Sequence, residues 1–81
     1  MRVTVLFFAA ARDLAGAGRI DVEVPPDATV GGLRRLLGER HPKLAPLLSR
    51  SALAVEERFA DDGEALADGT TVAVLPPVSG G

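Results

Sequence analysis

One long stretch of this chain carries apolar residues at helical spacing: Val30, Leu33, Leu36 and Leu37. Thr29 stands where an N-cap is expected, and His41-Pro42 gives a stop. Arg34, Arg35, Glu39 and Arg40 then fall mainly on the solvent side. Almost everything else reads as short strands broken by turns. A lone helix has one apolar stripe and a sheet has two faces. The helix can therefore cover one face only, and the other must be managed in some other way.

The remaining segments follow in order. Residues 2–8 are rich in Val, Leu and Phe and predict a strand, with Val3, Val5 and Phe7 on one face and Thr4, Leu6 and Phe8 on the other. Residues 9–18 read as a connection in which Gly16-Ala17-Gly18 makes a hairpin turn. Residues 19–24 alternate cleanly, with Ile20, Val22 and Val24 inward and Arg19, Asp21 and Glu23 outward, as in a strand antiparallel to the first. The glycines Gly31 and Gly32 weaken the first helical turn and suggest close packing of the helix on the sheet. Residues 43–50 form a connector with one helical turn. Residues 51–55 give a third strand, Glu56-Glu57 a turn and residues 58–60 a short return strand. Asp61-Asp62-Gly63 and Asp68-Gly69 mark further turns, Leu66 plugs the core, and residues 71–75 give the last strand.

This order predicts an α+β chain of the β-grasp (ubiquitin-like) type. It has a mixed sheet of about five strands, one main helix and a flexible C-terminal tail. The expected division is a domain over residues 1–75 and a tail over residues 76–81. In such a sheet the first and last strands run parallel at the centre. If Val72 and Val74 face the helix, then Thr71, Ala73 and Leu75 face away. Leu6, Phe8, Ala73 and Leu75 are thus expected together on the uncovered face, an apolar patch suited to docking a partner.

The tail, Pro76-Pro77-Val78-Ser79-Gly80-Gly81, is the other candidate site. Two prolines favour a stiff, extended start. Gly80 and Gly81, lacking Cβ atoms, suit a channel too narrow for other residues. Extended, six residues span roughly 20 Å, enough to carry a terminal carboxylate from one protein's surface into another's interior.

Composition narrows the chemistry further. The chain has no Cys, Trp or Tyr, one His and a formal net charge of −2. Thiolate nucleophiles, disulfides and His-pair metal sites are excluded, and a basic stripe for nucleic acid is not expected. His41 beside Pro42 reads as a solvated helix-terminal residue. No signal-peptide pattern or membrane-length apolar run is present, and the absence of Cys fits a reducing compartment, so the expected address is the cytoplasm. If this chain takes part in a reaction, the reacting group is expected to be the Gly81 carboxylate.

At both ends the residues resemble a known family. Val5-Leu6-Phe7-Phe8-Ala9-Ala10-Ala11-Arg12-Asp13-Leu14-Ala15-Gly16 is similar to the start of the MoaD small subunits of molybdopterin synthase, and residues 66–81 are similar to their end. The Pro-Pro-Val-Ser-Gly-Gly tail is the most specific part. A Gly-Gly end alone is shared with ThiS and with ubiquitin-like modifiers. One departure is Glu56, where this family often has Asn.

The resemblance implies a non-catalytic sulfur carrier for molybdenum cofactor biosynthesis. A MoeB-like enzyme would use MgATP to adenylate Gly81. A sulfurtransferase or cysteine desulfurase would supply the sulfur of a thiocarboxylate. The tail would then enter a MoaE-like large subunit, in an assembly of two large and two small subunits, and sulfurate cyclic pyranopterin monophosphate. No cofactor is implied on the chain itself, nor any nucleic acid or membrane partner. Sulfur carriage for thiamin or a tungsten cofactor, and ubiquitin-like protein modification, stay open.

Overall fold

The computed structural model describes residues 1–77. The core of the sheet is built from the two ends of this stretch. Strand β1 (Arg2–Phe7) and strand β5 (Thr71–Leu75) lie side by side and parallel, with Val5 opposite Val72 and Phe7 opposite Val74. On one side of them, β2 (Arg19–Glu23) pairs antiparallel with β1, Val3 facing Val22. On the other side, β3 (Ala52–Val55) pairs antiparallel with β5, and the two-residue β4 (Arg58–Phe59) pairs with β3. The order is β2-β1-β5-β3-β4, the mixed five-stranded sheet of a β-grasp.

The main helix, α2 (Val30–Arg40), lies over one face of this sheet. Thr29 caps it, its side chain accepting a hydrogen bond from the Gly32 N–H at 3.1 Å. Val3, Val5, Phe7, Val72 and Val74 from the sheet meet Val30, Leu33 and Leu37 from the helix, each 2% exposed or less. Residues of this kind contribute about 1.5–3 kcal/mol each on full burial, and Leu37→Ala would cost about 2–5 kcal/mol through the cavity it leaves. Leu66 is buried as the expected plug. The connector after α2 holds a 3-10 turn (Pro42–Leu44) and a single-turn helix, here α3 (Ala45–Leu48), which add the fully buried Leu44 and Leu48.

Five readings of the sequence need correction. The connection after β1 is a helix, α1 (Ala9–Ala15), and Gly16 is its left-handed C-cap at φ 75°, not part of a hairpin turn. Arg34 does not face solvent. Its guanidinium donates to the Leu48 carbonyl, to the Ser51 carbonyl at 2.8 Å and to Asp62 at 3.0 Å, tying α2 to two connections. Gly31 packs closely on the Asp62 loop rather than on the sheet, since a Cβ there would stand 3.0 Å from the Asp62 Cβ and press that loop back. His41 is half-buried, its ring edge-on to Phe7 at 6.3 Å and 73°. Phe8, Val24, Ser51 and Ala60 each fall just outside the strands expected to contain them.

Candidate docking face and tail root

Pairing register decides which side chains share the uncovered face of the sheet. Leu6 of β1 stands opposite Ala73 of β5, and Ala73 opposite Ala54 of β3. Ala54 in turn stands opposite Phe59 of β4. One transverse row therefore reads Leu6, Ala73, Ala54, Phe59, apolar across β1, β5, β3 and β4, with Arg19 of β2 beside Leu6 at its edge. Leu75 lies one pleat nearer the end of β5, and Phe8 follows directly on β1. The four residues expected to form the patch, Leu6, Phe8, Ala73 and Leu75, line one open groove of about 630 Å³ together with Ala54, Phe59 and the polar Thr71, Glu56 and Glu57. Val3, Val5 and Phe7 take the opposite, buried side, as their parity requires.

Two aromatic rings stand at the rim. Phe8 is 46% exposed and Phe59 is 73% exposed, against 2% for Phe7 between the sheet and the helix. Large apolar groups left in water on one contiguous surface are the usual mark of an interaction site. Phe8 is held there by an abrupt change of course. It has extended backbone, φ −122° and ψ 155°, and the next residue, Ala9, the first of α1, is left-handed at φ 50°. Phe59 was not nominated from the sequence. Its strand has two residues, too few for any periodicity, and the tight Glu56-Glu57 turn between Val55 and Arg58 sets its register opposite Ala54.

That turn departs from ordinary chemistry. Glu56 and Glu57 both have positive φ, 48° and 68°, where Asn or Gly is usual. Such a position costs a non-glycine residue about 1–3 kcal/mol unless its surroundings hold it. Here the Glu56 carboxylate accepts from the Thr70 hydroxyl at 3.0 Å and the Thr71 N–H at 2.8 Å, while its own N–H donates to the Thr71 carbonyl at 3.0 Å. The hairpin is latched to the start of β5. The bond from the Thr71 amide, then that from Thr70, holds the Glu56 carboxyl below its ordinary range. The Arg58 guanidinium lowers the Glu64 carboxyl in the same way.

β5 ends with Leu75 opposite Ala52, followed by a half-buried Pro76 and an exposed Pro77. The chain thus leaves the sheet centre beside the apolar groove. Val78, Ser79, Gly80 and Gly81, the other nominated residues, lie outside the described ones. Among the described residues, no group of three His, Cys, Asp or Glu side chains is arranged to hold a metal ion, and no helix is long and apolar enough to cross a membrane.

The geometry has close counterparts. The profile of the ThiS family matches residues 5–81. A molybdopterin synthase sulfur carrier subunit of Caenorhabditis briggsae is 38% identical over 81 residues, covering 98% of this chain and 96% of the relative. The crystal structure of SAMP1 from Haloferax volcanii superposes with a TM-score of 0.89 at 31% identity, covering both chains in full. A complex of subunits 1 and 2 of the molybdopterin-converting factor from Helicobacter pylori contains a chain that superposes at 0.74 and 28% identity, again over both full lengths.

Proposed function

The chain belongs to the ThiS family, and from that premise we propose that it is the sulfur-carrying small subunit of a molybdopterin synthase, working through the Gly81 carboxylate. One observation carries this reading. The family match runs through the tail to residue 81, and relatives of matching length bear that name. The fold supports it, because the centre of the sheet feeds Pro76-Pro77 out beside an exposed apolar groove. The large-subunit partner is supported by the Helicobacter pylori complex of subunits 1 and 2.

The chemistry follows from the weakness of a carboxylate as an electrophile. A Gly81 oxygen attacks the α-phosphate of MgATP on a MoeB-like enzyme, and pyrophosphate leaves. The terminal sulfur of a persulfide on a sulfurtransferase or cysteine desulfurase then attacks the acyl carbon, AMP departs with its bonding pair, and a second thiol cleaves the resulting acyl disulfide, leaving the thiocarboxylate and a disulfide. The thiocarboxylate so formed enters a MoaE-like large subunit and gives its sulfur to cyclic pyranopterin monophosphate. No side chain of this chain takes a chemical role. Leu6, Phe8, Ala73 and Leu75, with Phe59, seat the partner. Pro76 and Pro77 limit the entropy lost on threading, and Val78, Ser79 and Gly80 occupy the channel.

Intact mass after incubation with ATP, a MoeB-like enzyme and a sulfur donor tests the reading. The expected result is the gain of one sulfur for one oxygen, localised to Gly81. No change, with an enzyme shown to be active on another carrier, would refute it. The likeness to SAMP1, the small archaeal modifier protein 1 of Haloferax volcanii, favours a second reading, a protein modifier joined through Gly81, which predicts isopeptide adducts on lysines in cells.

A further inference from the structure

The charges of this chain are sorted by pole. β5 and β1 both end at the tail pole, and that end collects Arg12 of α1, Arg19 at the start of β2, Arg40 at the end of α2, Lys43 of the 3-10 turn and Arg50 just before β3. The register fixes this placement. Arg19 pairs with Leu6, Ala52 pairs with Leu75, and His41 touches Phe7. Helix α1 packs against both the 3-10 turn and β5. The acidic residues of this pole are Asp13 and Glu39.

The opposite pole is strongly acidic. It holds Glu23 beside Arg2, the Glu56-Glu57 hairpin, the 61–64 loop and Asp68, which accepts from the Arg2 backbone N–H at 2.9 Å. Its cations are committed, and away from the tail pole only Arg35, midway along α2, is exposed without an ion pair among the described residues. Arg2 pairs with Glu23 at 3.0 Å and Arg58 with Glu64 at 2.5 Å, while Arg34, farther along α2, pairs with Asp62 at 3.0 Å. Among the described residues, none of the five tail-pole cations makes an ion pair, and all five are exposed. A helix C-terminus accounts for Arg40. It does not account for Arg19 at a strand start or Arg50 in a loop.

We infer that these cations form a collar around the tail root that seats the chain against an acidic rim at the mouth of the channel on its adenylating enzyme. The inference rests on the carrier reading above. The occupant is a protein carboxylate surface rather than the nucleotide, because of reach. A threaded tail carries Gly81 roughly 20 Å beyond Pro76, leaving the collar at the entrance while ATP lies at the far end. A chain with net charge −2 would be repelled by an acidic partner if its charge were evenly spread. With its charge polarised, it is turned tail-first as it approaches.

The test is ATP–pyrophosphate exchange by a purified MoeB-like enzyme of the same organism, with the full-length chain as varied substrate. Arg12→Glu/Arg50→Glu is compared with Arg2→Glu/Arg35→Glu, which makes the same change of net charge away from the tail. The collar pair should lower kcat/KM at least about tenfold at low salt, through KM for the chain. The loss should shrink to within about threefold at 0.5 M NaCl, where the screening length falls to a few ångströms. The control pair should stay within about twofold, and KM for ATP should not move. Arg12→Lys/Arg50→Lys, which keeps the charge and any packing, should retain full efficiency. Equal effects of the two reversals, a loss that persists in salt, a shift in KM for ATP, or failure of the lysine pair to hold activity would overturn the collar alone. Absence of exchange with the unaltered chain would refute the carrier reading, and the collar with it.

Discussion

Arg34→Ala should be among the most damaging single changes that leave the hydrophobic core intact. The Arg34 guanidinium, with its side chain 21% exposed, bridges the carbonyls of Leu48 and Ser51 on one side and Asp62 on the other. Hydrogen bonds to charged groups are worth about 1.5–3 kcal/mol each, and truncation leaves both carbonyls without this donor. Water can reach part of the site, so roughly half of the summed value is retained. The Asp62 carboxylate is 59% exposed, and its share is about 0–1 kcal/mol after screening. The expected loss is about 3 kcal/mol, a large part of the roughly 4–12 kcal/mol available to a domain of this size. It corresponds to a fall in Tm of roughly 12–24 °C. Chemical denaturation of Arg34→Ala, Arg34→Lys and Asp62→Ala checks the reasoning. Lysine keeps the charge but cannot bridge two carbonyls and a carboxylate at once, so it should recover less than half of the loss. Asp62→Ala should cost under about 1 kcal/mol. If Arg34→Ala costs no more than Asp62→Ala, the guanidinium is a surface ion pair and the bridge to the connector is not stabilising.

Other outcomes follow from the docking face, the hairpin and the tail. Phe59→Asp and Phe8→Asp should each weaken large-subunit binding at least about tenfold, by calorimetry, with little effect on Tm, because both rings are already exposed. Glu56 titrates below its ordinary value when folded, so its bonds to Thr71 and Thr70 add stability above the ordinary carboxylate range, and that stability is lost as pH falls through the lowered value. Stability curves of the unaltered chain and of Glu56→Gln should therefore diverge at neutral pH and converge in acid; parallel curves would remove the latch. Gly81→Ala should abolish or sharply reduce sulfur transfer with an unchanged Tm, measured with purified partners and by thermal melts.

Parity makes much of this molecule legible in its sequence. Val3, Val5 and Phe7 against Leu6 and Phe8, and Val72 and Val74 against Ala73 and Leu75, are period-two patterns with one consistent solution, and the structure has that solution. Helix α1 was not legible because it buries a single residue, Ala11, has no capping side chain and is too short for a stripe to emerge. Its clues were the run of alanines and Gly16 at the C-cap. Arg34 was misread because spacing reports which face a residue occupies on its own helix, not what a distant loop brings to that face. Asp62 and Ser51 approach Arg34 from 28 and 17 residues away. Phe59 was missed for the same reason, since its importance comes entirely from alignment with Ala54 and Ala73 across the sheet.

The parallel pairing of β1 with β5 has a consequence for how the chain comes into being. The two central strands stand about 65 residues apart in sequence, β1 the first strand of the sheet to be synthesised and β5 the last, and each leaves the other with one neighbour missing until both are present. A nascent chain that stops short of β5 has β1 bordered on one side only, β3 with its main partner missing, and Val72 and Val74 absent from the core. Such a product cannot close its sheet and would present unpaired edges to proteases. Cooperative folding therefore acts as proofreading: a chain that survives in the cell has been translated at least as far as Leu75, the residue from which the tail begins.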